Sequence, residues 1–286
     1  MPGQQAYWVP FRSTGLSARM QQTWHYTEYG SGFPLVLGTS YLWEASMWTP
    51  QITALAQHYR VIVPQLPGHG NDLALAPAAA SPADLAQAAA ALLDALDVTQ
   101  CALVGLSVGG MWGAELALAQ PQRVRSLVLM DTTLAAEPDT SRQRYLSMLA
   151  MIEACGRIPE PLIEQIVPLF FRPQMPADDP LRARFADRLR TWPPHRIDAL
   201  VALGTGIFTR PERLSALSAL DPQRTLVACG RHDIPRPPEE AARMAETIGC
   251  RRVVIDEAGH IASLENPHAV TDMLAAHLAA SLGDDR

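Results

Sequence analysis

Ser107 is the residue of this 286-residue chain whose surroundings most strongly indicate chemistry. It stands in "CALVGLSVGGMWG", with Gly105 two positions before it and Gly109 two positions after it. This G-x-S-x-G pattern is weak evidence alone, because an ordinary glycine-rich bend also produces it. However, 101–106 has the pattern of a buried strand and 108–119 that of a helix. A serine on a sharp strand-to-helix turn has its hydroxyl pushed out of the sheet, so the sequence predicts a nucleophile.

A serine nucleophile needs a base and a carboxylate that orients the base. His260, in "DEAGHIASLENP", follows the last predicted strand, where a loop can bring an imidazole to the carboxyl edge of a sheet. His69, in the tight turn "PGHG", competes with it, although a structural role is favoured there. Asp233, in "GRHDIPRP", is favoured as the acid, because its strand directly precedes the strand that leads to His260. Asp131 ends another strand and stays a rival, with hydrogen bonds to loop amides as its other expected role.

Two backbone amides are candidates for an oxyanion hole, which stabilises the charge that develops during acyl transfer. The Val108 amide is the first by its position after the serine. The Tyr41 amide, in the loop "GTSYLWEASMW", is the second. Large apolar side chains near the serine or in the middle of the chain are candidates for a substrate pocket, although each also fits ordinary core packing. They are Trp43, Trp112, Phe170, Phe171, Trp192 and Phe208.

The elements that must position these residues alternate between strand and helix patterns. Continuous Val, Leu and Ile runs bounded by Gly, Pro or Asp predict strands buried on both faces. These runs occupy 34–38, 60–64, 101–106, 124–130, 224–230 and 251–256, and an alternating stretch at 23–30 is typical of an edge strand. Helices are predicted at 46–58, from Pro82 onward with Ser81 as the cap, and at 108–119, 238–248 and 267–282. The alternation predicts an α/β fold with a mostly parallel central sheet flanked by helices.

One region breaks this alternation. The segment 137–220 contains helical patterns and many prolines but no strand-like run. The sequence therefore predicts a helical cap or lid, inserted after strand 6, which ends at Met130. The expected domains are a core formed by 1–136 and 221–286 and a cap formed by 137–220.

Composition excludes several classes of partner. The net charge is −6 and no basic patch occurs, so nucleic acid is not an expected partner. The four cysteines are scattered without a C-x-x-C pair, which argues against metal or disulfide roles. No stretch of about 18 apolar residues occurs, so no membrane span is expected. The stretch "MPGQQAYWVPFRSTG" lacks a signal-peptide apolar run, so a cytoplasmic protein is expected. A homo-oligomer is left open.

The chain resembles the α/β-hydrolase superfamily. The resemblance rests on four motifs that occur in the expected order, "RVIVPQLPGHG", "GLSVGG", "GRHDIPRP" and "AGHIASLENP". It covers residues 20 to 285. It is greatest to capped hydrolases of small esters and lactones, including those similar to 3-oxoadipate enol-lactonase. Two departures occur: many members have His-Gly where this chain has Thr39-Ser40, and many have Asp where it has Gln65.

The resemblance implies an α/β-hydrolase fold and a catalytic triad. Ser107 would be the nucleophile, His260 the general base and acid, and Asp233 its partner. The implied function is hydrolysis of a small-molecule ester through an acyl-enzyme, without a metal or an organic cofactor. The same triad could instead serve a lactone, cleave a C–C bond or transfer an acyl group to an acceptor other than water. Some members of the superfamily are lyases that use the same groups differently. A non-catalytic binding protein of this fold is disfavoured, because all three triad residues are present.

Overall fold

One sheet carries the elements that position the candidate residues. The computed structural model describes residues 5–7, 24–70 and 80–283. Its strands are β1 (Gln5–Tyr7), β2 (Tyr26–Tyr29), β3 (Phe33–Gly38), β4 (Tyr59–Pro64), β5 (Cys101–Leu106), β6 (Val124–Met130), β7 (Thr225–Gly230) and β8 (Arg251–Ile255). Within the described residues they form one sheet in the order β1-β2-β4-β3-β5-β6-β7-β8. β1 pairs antiparallel with β2, and β2 with β4, whereas all pairs from β4 to β8 are parallel.

The six predicted strands are confirmed, each to within one residue of the observed bounds. The prediction that all six are buried is wrong for β8, which ends the sheet order and exposes Arg251 and Arg252. Every residue of β5 and of β7 is buried, which is why their sequences are continuous apolar runs rather than alternating ones. The register aligns Leu106 with Met130 and Met130 with Ala228. Since parallel strands end together, the loops that follow β5, β6, β7 and β8 emerge along one edge of the sheet.

Helices flank the sheet, as the sequence predicts. They are α1 (Thr49–Leu55), α2 (Pro82–Ala95), α3 (Val108–Ala119), α4 (Asp139–Cys155), α5 (Glu160–Phe170), α6 (Pro180–Arg190), α7 (Ile197–Phe208), α8 (Pro238–Ile248), α9 (Ala262–Glu265) and α10 (Pro267–Leu282). The start of α2 shows how local sequence sets these bounds. The Asp84 amide donates to Ser81 Oγ at 3.2 Å, and the Ser81 amide donates to Asp84 Oδ2 at 2.8 Å. This reciprocal cap, with Pro82 in the first turn, fixes the helix N-terminus.

Four helices, α4 to α7, lie between β6 and β7, where no strand interrupts residues 131–224. α4 packs against α7, and α5 packs against α6. An aromatic contact joins these helices to the loop after β3, because the rings of Trp43 and Phe185 stack at 4.5 Å between centroids. The division into a core and a separate cap at 137–220 stays a prediction.

No helix of the described residues combines the length and the apolar character needed to cross a membrane. Of the N-terminal stretch analysed above, only β1 is described.

Candidate active site

Ser107 lies at the turn between β5 and α3, at the edge where the parallel strands end. Its backbone has φ 58° and ψ −118°, a conformation that residues other than glycine rarely adopt. Two hydrogen bonds hold it there: the Ser107 amide donates to the Met130 carbonyl at 2.9 Å, and Thr132 Oγ1 donates to the Ser107 carbonyl at 2.6 Å. The serine thus precedes the first turn of a 12-residue helix, whose dipole favours negative charge.

Close packing around this turn explains the two glycines of the pattern. A Cβ on Gly105 would lie 2.2 Å from the Gly109 carbonyl oxygen, and a Cβ on Gly109 would lie 2.3 Å from the Gly38 carbonyl oxygen. The opposing atoms are backbone atoms, which cannot rotate away as a side chain could. The strand and the helix therefore approach too closely for side chains at these positions.

His260 and Asp233 meet in a buried pair at the same edge of the sheet. His260 Nδ1 lies 3.0 Å from Asp233 Oδ1 and 2.9 Å from Oδ2, and both residues are only 3% exposed. The Arg236 amide also donates to Asp233 Oδ1, at 3.0 Å. The loop that carries the imidazole is tied down by Glu265, which accepts a hydrogen bond from the Gly259 amide at 2.8 Å. Because Nδ1 is engaged by the carboxylate, Nε2 is the ring nitrogen left for chemistry.

The two rival residues have other partners. Asp131 Oδ1 accepts from the Gly230 amide at 2.6 Å. His69 is completely buried, its Nε2 accepts from the Leu42 amide at 3.0 Å, and its Nδ1 lies 2.9 Å from the Pro67 carbonyl. Burial lowers the pKa of His69 to about 4, so this imidazole is neutral at pH 7. The His69 contacts stabilise loops, the role that the sequence favours for it. The Asp131 contact is with the amide of the last residue of β7 rather than with a loop amide.

The two candidate oxyanion amides belong to residues that line the same cavity as Ser107. Val108 is the first residue of α3, where amides have no intrahelical acceptor. Tyr41 lies in the loop after β3, and residues on both sides of it are held by hydrogen bonds. The Leu42 amide donates to His69, and the Thr39 carbonyl accepts from the Gly109 amide at 3.0 Å. Among the described residues, neither the Val108 nor the Tyr41 amide has a hydrogen-bond acceptor. The oxyanion role itself stays a prediction.

A cavity of about 780 Å³, open to solvent, lies over Ser107 and His260. Most of its wall is apolar, and half of the lining residues belong to α4, α5 and α7. These helices contribute Met148, Leu149, Ile152, Ile166, Phe170 and Phe208, among others. Phe170 and Phe208 therefore lie where the sequence places them, and the Phe170 ring also packs edge-on against the His260 imidazole, 5.4 Å between centroids.

The other four predicted pocket residues lie away from this cavity. Trp43, Trp112, Phe171 and Trp192 do not line this cavity and are between 1% and 7% exposed. Neighbouring rings fill the space in front of them: Trp43, for example, stacks on Phe185, and Phe171 lies edge-on to Trp43 at 6.2 Å. These aromatic residues belong to the packed core, which is the other role that the sequence allows them.

Sequence reasoning missed a buried cluster of charges beside the cavity. Glu137 Oε2 accepts from Arg210 Nη1 at 3.0 Å and from Arg236 Nη2 at 2.5 Å, and all three side chains are at most 5% exposed. Glu240 lies 3.6 Å from Arg236 Nη1, so two positive and two negative charges meet. The two partners of Glu137 are 73 and 99 residues away along the chain, so no local pattern could have revealed the cluster.

Arg236 is the member of this cluster that also lines the cavity. Its backbone bonds to Asp233 while its side chain bonds to Glu137, so it joins the candidate catalytic acid to the helical insertion. No group of His, Cys, Asp or Glu side chains that could hold a metal ion occurs in the part of the chain that the structure describes.

Comparison with known proteins places this arrangement in a family. Residues 30–273 match the Alpha/beta hydrolase family. The relative named "Putative carbamate hydrolase RutD", from Stutzerimonas stutzeri, is 28% identical over 91% of this chain and 98% of its own length. A thermophilic esterase from Thermogutta terrifontis is 27% identical, with a TM-score of 0.83 over 96% of this chain and 98% of that one.

The enol-lactonase from Burkholderia xenovorans LB400 has a TM-score of 0.75 at 23% identity, covering 90% of this chain and 96% of that one, which shows a common fold. The family match extends from the end of β2 into α10 and includes the serine turn, the buried histidine–aspartate pair and the helical insertion. The chain belongs to the alpha/beta hydrolase family.

Proposed function

We propose that this protein is a serine hydrolase that cleaves carboxylic esters with a small to medium-sized, largely apolar group through an acyl-enzyme on Ser107. One observation carries the proposal: Ser107 and His260 line the same apolar cavity, and His260 Nδ1 is bonded to Asp233. A nucleophile, a base and a group that orients the base are thus available beside a space where an ester could bind.

In the proposed reaction, Ser107 Oγ attacks the ester carbonyl carbon and its proton passes to His260 Nε2. Asp233 stabilises the imidazolium that forms and keeps the ring oriented through Nδ1. The tetrahedral intermediate collapses, the C–O bond to the alcohol breaks, and the imidazolium gives its proton to the leaving oxygen. A water molecule, deprotonated by His260, then hydrolyses the acyl-enzyme and restores Ser107.

The Val108 and Tyr41 amides would hold the oxyanion of both tetrahedral intermediates. Support comes from their place on the cavity wall beside Ser107 and from the lack of an acceptor for either amide among the described residues. Each donor aimed at an oxyanion is worth about 3–4 kcal/mol of transition-state stabilisation. The dipole of α3 adds to this effect, because its positive end lies at the serine.

The cavity supports an apolar substrate group. Its lining is mainly apolar, with Ser107, His260 and Arg236 among its few polar groups, as is usual for small-molecule sites. The wall opposite the serine is formed by aliphatic and aromatic side chains, so binding would come mainly from burial of an apolar acyl or alcohol group. The 27% identity to an esterase of the same fold supports the ester class.

Carbamate hydrolysis is the second candidate, because a relative that matches 91% of this chain carries that name. The carbonyl carbon of a carbamate can be attacked in the same way. An unsubstituted carbamate, however, would leave most of the apolar wall without contacts. The cavity therefore favours an ester, or a carbamate with an apolar substituent, over the smallest carbamates.

Labelling with a fluorophosphonate probe tests the proposed nucleophile. We expect wild-type protein to be labelled once, at Ser107, and Ser107→Ala to be unlabelled. Ser40→Ala is the matched control, because Ser40 lines the same cavity but its hydroxyl donates to the Tyr41 carbonyl at 3.4 Å. Labelling should persist in Ser40→Ala. An unlabelled wild type would refute the serine mechanism.

A panel of substrates tests the proposed class. It would contain p-nitrophenyl esters of increasing acyl length, a set of lactones, and p-nitrophenyl carbamates with and without N-alkyl groups. We expect kcat/KM to rise with acyl length until the cavity is filled and to exceed that for unsubstituted carbamates. Preference for lactones, or for unsubstituted carbamates, would contradict the proposed substrate class while leaving the Ser107 mechanism intact.

A further inference from the structure

Asp131 is a buried carboxyl that the proposed reaction does not use. It follows β6 directly, is 1% exposed, and has φ 47°, an unusual conformation for a residue other than glycine. Its Oδ1 accepts from the Gly230 amide at 2.6 Å, but its Oδ2 is buried and has no donor among the described residues. An ionised carboxylate in this place would leave one oxygen uncompensated, which is costly in a protein interior.

The nearest charged group makes ionisation of Asp131 less favourable still. Asp131 lies against the end of β7, because its amide donates to the Ala228 carbonyl at 2.9 Å and its Oδ1 accepts from the Gly230 amide. Asp233 follows three residues after Gly230, and its carboxyl acts on Asp131 both as a hydrogen-bonding partner and through its charge. Two buried carboxylates in contact cannot both be charged near neutral pH, so the pair retains one proton.

The donors around the two carboxyls decide which one retains it. Asp233 faces the His260 ring nitrogen and the Arg236 amide, both of which favour its charged form. Asp131 has only the Gly230 amide, on one oxygen. The proton therefore belongs on Asp131 Oδ2, the atom that otherwise has no partner. A proton there can point to Asp233, which turns the unpaired oxygen into a donor.

We propose that Asp131 is a neutral carboxylic acid near pH 7 that donates a hydrogen bond to Asp233 and so acts as a positioning residue for the catalytic acid. This rests on the proposed function, because it assumes that Asp233 orients His260 for catalysis. Asp233 then accepts from three sides: His260, the Arg236 amide and Asp131. The third contact restricts the carboxylate to the orientation in which it faces the imidazole.

The other titratable groups around Asp131 agree with this assignment. Burial, and then the charge of Asp233, raises the pKa of Asp131 well above its usual range, and the nearby Glu265 carboxylate adds to the effect. Burial also raises the pKa of the neighbouring Cys229 thiol to about 12, so this group stays neutral near pH 7. The charged groups that act on Asp131 are thus the carboxyls of Asp233 and Glu265. The Arg236 guanidinium, on the loop after β7, is paired with Glu137 and Glu240.

Infrared spectroscopy of the ligand-free protein tests the proton directly. We expect a carboxylic-acid C=O band in the wild-type minus Asp131→Asn difference spectrum near pH 7, sensitive to exchange into D₂O. The difference cancels contributions from other buried acids such as Glu240. Absence of that band would overturn the proposal, because Asp131 would then be ionised.

Kinetics test the positioning role. Asp131→Asn keeps a donor towards Asp233, so its kcat on a p-nitrophenyl ester should stay within about threefold of wild type. Asp131→Ala loses the donor and should fall by about tenfold or more. Wild-type activity should also fall at alkaline pH as Asp131 ionises beside Asp233, and Asp131→Asn should lack that fall. Equal losses in both variants, or an alkaline fall that persists in Asp131→Asn, would overturn the proposal.

Failure of the proposed function would look different. In that case wild-type protein would not react with the fluorophosphonate, while the infrared band assigned to Asp131 would still be present. If instead Ser107 is labelled and the band is missing, the function stands and the Asp131 inference is wrong.

Discussion

The buried imidazole of His69 gives a stability prediction whose size follows from the structure. Its Nε2 accepts from the Leu42 amide, so that nitrogen cannot carry a proton in the folded protein without losing the contact. Rings of Tyr41 and Trp192 lie 5.5 Å and 5.0 Å from it and help to exclude water. Burial lowers its pKa from the ordinary value of 6.5 to about 4 in the folded state, and the nearby charges of Arg188 and Arg196 act in the same direction.

This difference links folding to pH. Between about pH 6.5 and 4 the unfolded chain binds a proton at His69 that the folded protein excludes, so acidification favours unfolding. The two pKa values differ by about 2.5, and each pH unit is worth about 1.4 kcal/mol. The contribution of His69 to the free energy of unfolding is therefore fully present above pH 6.5. It falls by about 3 kcal/mol as the pH drops to about 4.

Denaturant unfolding of wild type and His69→Gln at several pH values between 7.5 and 4 would measure this contribution. Glutamine can offer an oxygen to the Leu42 amide but does not titrate. We expect the variant to be less stable than wild type at pH 7.5. On acidification to about pH 4, its free energy of unfolding should fall by about 3 kcal/mol less than that of wild type. His268→Gln, at an exposed histidine, is the control and should follow the wild-type curve. Parallel curves for wild type and His69→Gln would refute the reasoning.

Three further substitutions test other parts of the structure. Gly105→Ala places a Cβ against the Gly109 carbonyl and should lower the free energy of unfolding by at least about 3 kcal/mol, measured in urea. Glu137→Ala removes the ion-pair partner of Arg210 and leaves Arg236 with only its 3.6 Å contact to Glu240, so it should cost about 3–5 kcal/mol, whereas Glu160→Ala, at an exposed ion pair, should cost far less. Ile152→Trp narrows the cavity and should reduce kcat/KM for long acyl esters by about tenfold or more, with acetyl esters nearly unaffected.

The sheet and the serine turn could be predicted from the sequence because their causes are local. A parallel strand covered on both faces must be apolar throughout, so β5 and β7 are visible as continuous runs. The start of α2 is determined by Ser81, Pro82 and Asp84: the Ser81 and Asp84 side chains form the helix cap, and Pro82 occupies the first turn. Ser107, Asp233 and His260 each follow the end of a parallel strand, and these strand ends share one edge of the sheet.

The cavity wall could be predicted only in part, because its causes are distant in sequence. Whether an aromatic ring lines a cavity or fills the core depends on which ring lies in front of it. Trp43 stacks on Phe185, which is 142 residues away and in another element, and nothing near either residue indicates the contact. The same holds for Tyr145, which enters the cavity wall by packing on Phe208 at 4.4 Å.

The buried charges show how the helical insertion and the candidate triad are joined. Glu137 precedes α4 and Arg210 follows α7, so the two ends of the helical insertion are paired with each other. Glu137 also binds the side chain of Arg236, whose amide donates to Asp233. A displacement of the insertion would therefore move the Asp233 carboxylate, because the Arg236 side chain is bonded to the insertion and the Arg236 amide is bonded to Asp233. The insertion also supplies most of the apolar wall. Under the proposed function, residues that would contact a substrate and residues that would orient the base are therefore connected through Glu137 and Arg236.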